Sequence, residues 1–171
     1  MDLTLDLQLS VMTRAMRDVV LPALAHSDSK AVEQASLVLA FLEMMREHAP
    51  LAARYEQAEL RQYLELGRQL LPLLPADDAL AQSVRAAIDR APSANAAGPE
   101  GDDAPAAIAR LRAAIGELAA SPLSHDGSAP SPVGRLILAA ARRETTRERT
   151  WLARTGFEPD PAVLPNVESQ L

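Results

Sequence analysis

Two carboxylates, Glu144 and Glu148, stand four residues apart in a stretch that also holds Arg142, Arg143, Arg147, Arg149 and Trp151. On a helix, residues i and i+4 share a face. The apolar line Ile137, Ala140 and Ala141 therefore continues into Glu144, Glu148 and Trp151. Two chemistries fit this pattern. One is a docking surface with Trp151 and the arginines as anchors, since Trp and Arg dominate interface energetics. The other is a solvated helix end in which Glu144 pairs with Arg147 for a few tenths of a kcal/mol. Glu43 poses a similar choice: the solvated edge of an apolar helix, or a buried carboxylate with Arg142 or Arg143 as countercharge. Burying it unpaired is costly.

Other chemistries lack their residues. Helical bundles that hold two metal ions place Glu three residues before His. Here Ala23, Met45 and Pro122 precede His26, His48 and His125, so no metal site is expected. The chain has no Cys, which removes thiolate chemistry and disulfides. No G-x-S-x-G occurs, and the adjacent His125 and Asp126 fall in a loop-like segment. The seven Gly are scattered, so no phosphate loop forms, and the few aromatics offer bases or flavins no stacking platform. No cofactor and no enzymatic activity are expected.

A formal net charge of −6 argues against nucleic acid or anionic lipid as a partner. No apolar run reaches the roughly 18 residues of a membrane span. Asp2 and Asp6 precede the first Arg, unlike the basic start of a secretory signal. A cytoplasmic protein is the expectation.

The elements that must position these residues are helices. Hydrophobic residues make up 48% of the 171, with few aromatics, as suits Leu/Ala-packed helices. The stretch Lys30 to His48 is apolar almost all round, through Leu37, Val38, Leu39, Phe41, Leu42, Met44 and Met45. Only the line Glu33, Ser36, Ala40, Glu43 and Glu47 interrupts it. A helix of that kind belongs at the centre of a bundle, so Val38, Leu39, Phe41 and Leu42 are expected to be buried.

Around it the spacing predicts helices over 4–25, with Pro22 kinking or stopping the first at Leu21, and over 51–71. A shorter helix follows an Asp77 or Asp78 cap, another starts at Asp103 and Pro105, and the last runs from Pro132 to about Thr155. The expectation is an all-α, up-and-down bundle of five or six helices in one domain, residues 1–156. Residues 92–104 and 121–131 read as flexible loops, and 157–171 as an irregular tail.

The run Arg17-Asp18-Val19-Val20-Leu21-Pro22-Ala23-Leu24, followed by the Ala/Leu-rich stretch from Ala31 to Glu43, resembles a family of small all-helical bacterial proteins. Those are found beside aminoglycoside-phosphotransferase-like kinases and acyl-CoA dehydrogenases. The resemblance implies a non-catalytic accessory to enzymes acting on hydroxyacyl-CoA substrates, and it carries over no catalytic residue. Two functions follow. The first is an interaction protein that binds a partner enzyme, or itself, through a helical face. The second is a small-molecule binder or enzyme with an interhelical pocket of Glu43, Glu144 and arginines, where Arg142, Arg143 and Arg147 would meet acyl-CoA phosphates.

Overall fold

A computed structural model describes residues 4–24, 26, 28–91, 103–155 and 158–171. The fold is all-α, its helices bundled within two compact units where the sequence predicts one domain. The first unit is Met1–Ala53 with Thr146–Gln170, and the second is Arg54–Thr145 with Leu171.

In the first unit, α1 (Leu5–Ala15) starts at Thr4, whose hydroxyl caps the Leu7 N–H. A π segment, Met16–Val20, leads into α2 (Leu21–Leu24). Pro22 explains the π turn. It has no N–H, and in α geometry its ring would strike the Asp18 carbonyl. One wider turn, closed by Leu21 N–H donating to the Met16 carbonyl, absorbs the conflict. The helix is thus not stopped at Leu21 but runs on to Leu24.

Asp28 then caps α3 (Ser29–His48), accepting the Lys30 N–H at 3.0 Å. α1, the π segment and α2 all pack along α3. Buried residues of α3 are Ala35, Met44 and His48. The expected burial of its middle is not met: Val38 is 48% exposed and Phe41 38%. All-round apolarity signals burial only when neighbours exist on every side. Within this unit α3 packs chiefly against the N-terminal helical segments and the 3-10 turn Ala153–Thr155, and near its end His48 meets Trp151 of the last helix.

The second unit holds the main core. It draws on α4 (Ala52–Leu70), α5 (Ala79–Asp89), α6 (Asp103–Ala120) and α7 (Pro132–Leu152). Leu60, Leu64 and Leu70 of α4 pack with Val84 of α5, Leu111 and Leu118 of α6, and Val133 of α7. Asp78 caps α5 through the Leu80 N–H at 2.8 Å. Gly67 lets α4 and α5 close up, since a Cβ there would sit 3.0 Å from Ile88.

Of the two expected loops, 92–102 lies outside the described residues, while 103 and 104 already belong to α6. Residues 121–131 form short regular elements. A 3-10 turn (Pro122–Ser124) leads into β1 (His125–Asp126), paired antiparallel with β2 (Ala129–Pro130). Gly127 makes the turn at φ +61°, a conformation that suits Gly. Polar bonds hold the segment: Ser131 N–H donates to Ser124 O at 3.0 Å, and the Ser131 hydroxyl to Leu123 O at 2.6 Å. Gly134 lies hard against this turn, where a Cβ would come within 2.1 Å of the Ser124 carbonyl. The tail forms 3-10 turns at Pro161–Val163 and Val167–Gln170.

Candidate functional site

Within the second unit, two adjoining depressions share Ala119 and Ile137 and run between α6 and α7. One, of about 160 Å³, is floored by the buried Ile115 and Ala140 and ends at Tyr63, Arg112 and Glu144. The other, of about 130 Å³, ends at Ser124 and His125. Together they form an open groove, apolar in the middle and polar at both ends. Gly116 is exposed on its edge, with no atom within 4 Å of where a Cβ would stand.

The polar end is a hydrogen-bonded cluster. The Tyr63 hydroxyl donates to both Glu144 oxygens, at 2.8 and 2.9 Å. Arg112 Nε donates to the Tyr63 oxygen at 3.0 Å, and Nη2 reaches Glu144 at 3.0 Å and Glu59 at 2.5 Å. The guanidinium carbon lies 5.5 Å from the Tyr63 ring centre, within cation–π range. Burial pushes the Tyr63 phenol up to about 12; Arg112 pulls it back, and the Glu144 hydrogen bond and charge add to the rise. The phenol is therefore a neutral donor at ordinary pH and no base. The bond to Tyr63, more than the carboxylates, raises Arg112 further above its usual value. Arg112 remains half exposed, with Nη1 available to an incoming acceptor.

At the other end, the Ser124 oxygen lies 2.8 Å from the carbonyls of Ala119 and Ser121 and 2.6 Å from His125 Nδ1. The single hydroxyl proton goes to a carbonyl, so Nδ1 donates to the serine. That is the reverse of what a nucleophile and its base require. The contact is structural.

Of the charged and aromatic residues put forward as binding candidates from the sequence, Glu144 joins this groove, together with Ile137, Ala140 and Ala141 of the apolar line that leads to it. The partners of Glu144 are Tyr63 and Arg112, not Arg147. Arg142 and Arg143 are exposed, and at 100° per residue they leave the helix on flanks away from the line of Ile137, Ala141 and Glu144. Arg147 is buried in the first unit at 4% exposure. The three arginines thus do not form one basic cluster. Glu148 is exposed. The Trp151 ring rests on His48, with centres 4.2 Å apart and planes 35° apart, and Arg149 pairs with Glu158. Glu43 pairs with Arg17 rather than Arg142 or Arg143, both partners being well exposed.

Tyr63, Arg112 and Glu59 were not singled out. Tyr63 left a signal, a phenol within the apolar seam of α4, because a buried Tyr hydroxyl needs a partner. Arg112 left none beyond following the core residue Leu111.

Among the described residues, no group of three or more His, Asp or Glu side chains is placed to hold a metal ion, and no helix is long and apolar enough to cross a membrane. No protein-family model, curated protein or solved structure matches the chain.

Proposed function

We propose that this chain is a non-enzymatic accessory protein that binds a partner enzyme by seating an amphipathic helix of that enzyme in the α6–α7 groove. The observation that carries the reading is the form of the groove: an apolar floor with Gly and Ala on its edges and one guanidinium at its end. Small residues let a second helix approach closely, and apolar side chains at i, i+3 or i+4 and i+7 match a groove of this kind. Arg112 Nη1 then meets a carboxylate or carbonyl on the polar edge of that helix.

The rival reading, a small-molecule site with Glu and Arg, asks for an enclosed cavity of roughly 300 Å³ or more. The depressions hold about 160 and 130 Å³ and are open. The partner class, an enzyme of acyl-CoA metabolism, follows from the resemblance carried by residues 17–24 and 31–43.

Affinity purification from the native host with mass spectrometry tests the proposal, using wild type and Gly116→Leu. The added side chain projects into the groove where nothing stands within 4 Å of its Cβ, so the fold is retained. The expected result is one enzyme recovered in stoichiometric amount with wild type, lost with Gly116→Leu, and bound again by purified wild-type chain. Equal recovery by both proteins, or no enzyme at all, contradicts it.

A further inference from the structure

The two ends of the α6–α7 groove differ in the hydrogen-bonding groups they leave over. At one end Arg112 Nε and Nη2 are engaged with Tyr63, Glu59 and Glu144, which leaves Nη1. A guanidinium nitrogen only donates. Two carboxylates already face this one cation, so a third carboxylate there would meet net repulsion. What suits Nη1 is an uncharged acceptor.

At the other end His125 Nδ1 donates to the Ser124 hydroxyl oxygen at 2.6 Å. In a neutral imidazole that leaves Nε2 with a lone pair and no proton. Asp126, the next residue and exposed, adds a carboxylate. One end of the groove thus offers a donor and the other offers acceptors. An α-helix has the complementary ends: its first four N–H groups and its last four carbonyls lack partners within the helix. Those termini also carry about half a positive and half a negative charge.

We propose that the helix seated in this groove lies in one direction, its N-terminus at His125 and its C-terminal carbonyls at Arg112. It is thus parallel to α7, which runs from Gly134 at the His125 end to Glu144 at the Arg112 end. This rests on the docking reading above and adds the length, anchors and polarity of the occupant. From Gly134 to Glu144 the rise along α7 is about 15 Å, nearly three turns, so the seated segment has about ten residues. The depressions bounded by Ala140 and Ala141 and by Gly134 and Leu138 are centred about one turn apart along α7. At about 160 and 130 Å³, each takes one benzene-sized group. The anchors are therefore two apolar side chains at i and i+4.

A synthetic Ala/Gln peptide of about ten residues, stapled on its far face to hold it helical and carrying leucines at i and i+4, tests this by NMR on the full chain. A nitroxide at the peptide's C-terminal end should broaden the amide signals of Arg112 and Glu144. At its N-terminal end the label should broaden those of His125 and Gly134. Asp126→Lys, a change at an exposed residue, should weaken binding by about two- to fivefold, as a reversed charge at a helix end does, with circular dichroism unchanged. Broadening on α6 and α7 with the two ends exchanged overturns the direction and leaves the docking reading standing. So does a folded Asp126→Lys that binds as tightly as wild type or more tightly. Broadening that is absent from α6 and α7, or that Gly116→Leu does not remove, overturns the docking reading and this proposal together.

Discussion

The Tyr63 hydroxyl donates to both oxygens of Glu144, 81 residues along the chain, at 2.8 and 2.9 Å. This contact closes one end of the α6–α7 groove and ties α4 to α7. Removing it with Tyr63→Phe deletes a hydrogen bond to a charged acceptor. The expected cost is about 1.5–3 kcal/mol in denaturant unfolding, since both groups are shielded from water. A change below about 0.5 kcal/mol would mean that the contact does not persist in solution.

The same pair sets a pH dependence. The Tyr63 phenol is pushed up from 10.0 to about 12, so the folded state favours its neutral form. The corresponding stability is fully present below pH 10 and is lost as pH rises through about 12, by at most about 1.4 kcal/mol per pH unit. Absorbance titration should show a tyrosine step near pH 12, and Tyr63→Phe should remove it.

Glycines give an opposed pair of expectations. Gly116 sits in mid-helix with open space around a Cβ, so Gly116→Ala should stabilise by about 0.5–1 kcal/mol. At Gly134 the added carbon meets the Ser124 carbonyl at 2.1 Å. Gly134→Ala should cost about 1–3 kcal/mol as the 121–131 turn is forced away. Thermal unfolding of the two variants reads both signs.

Much of the fold was legible because helix signals are local. The cap at Asp78 and the proline-marked starts lie within a turn of the residues they act on. Long-range contacts left no such trace. Val38 and Phe41 read as core because apolarity all round a helix does not say how many neighbours it has. The segment 121–131 lacks apolar groups and so left no sign of the short turn and strand pair that Ser124 and Ser131 hold by hydrogen bonds. In the groove Glu144 was visible as a carboxylate on an apolar line. Its true partner, Arg112, lies 32 residues away on a helix whose register against α7 nothing local reveals.

Trp151 bears on which surface does the binding. The sequence allows it as a docking anchor or as part of a solvated helix end, and in the structure its ring rests on His48. Trp151→Ala should therefore cost about 2 kcal/mol or more, toward the range for truncating a buried aromatic. Unchanged thermal stability would return Trp151 to the candidate docking surface. The exposed Arg17–Glu43 pair sets the opposite scale, and Glu43→Gln should move stability by no more than about 0.5 kcal/mol.

The most direct test of the binding account is hydrogen exchange by mass spectrometry on the chain with and without the enzyme recovered from the host. Added protection should fall on residues 112–119 of α6 and 134–144 of α7, and Gly116→Leu should abolish it. Protection confined to other helices, or none on saturation with the enzyme, would contradict the assignment of the α6–α7 groove as the docking face.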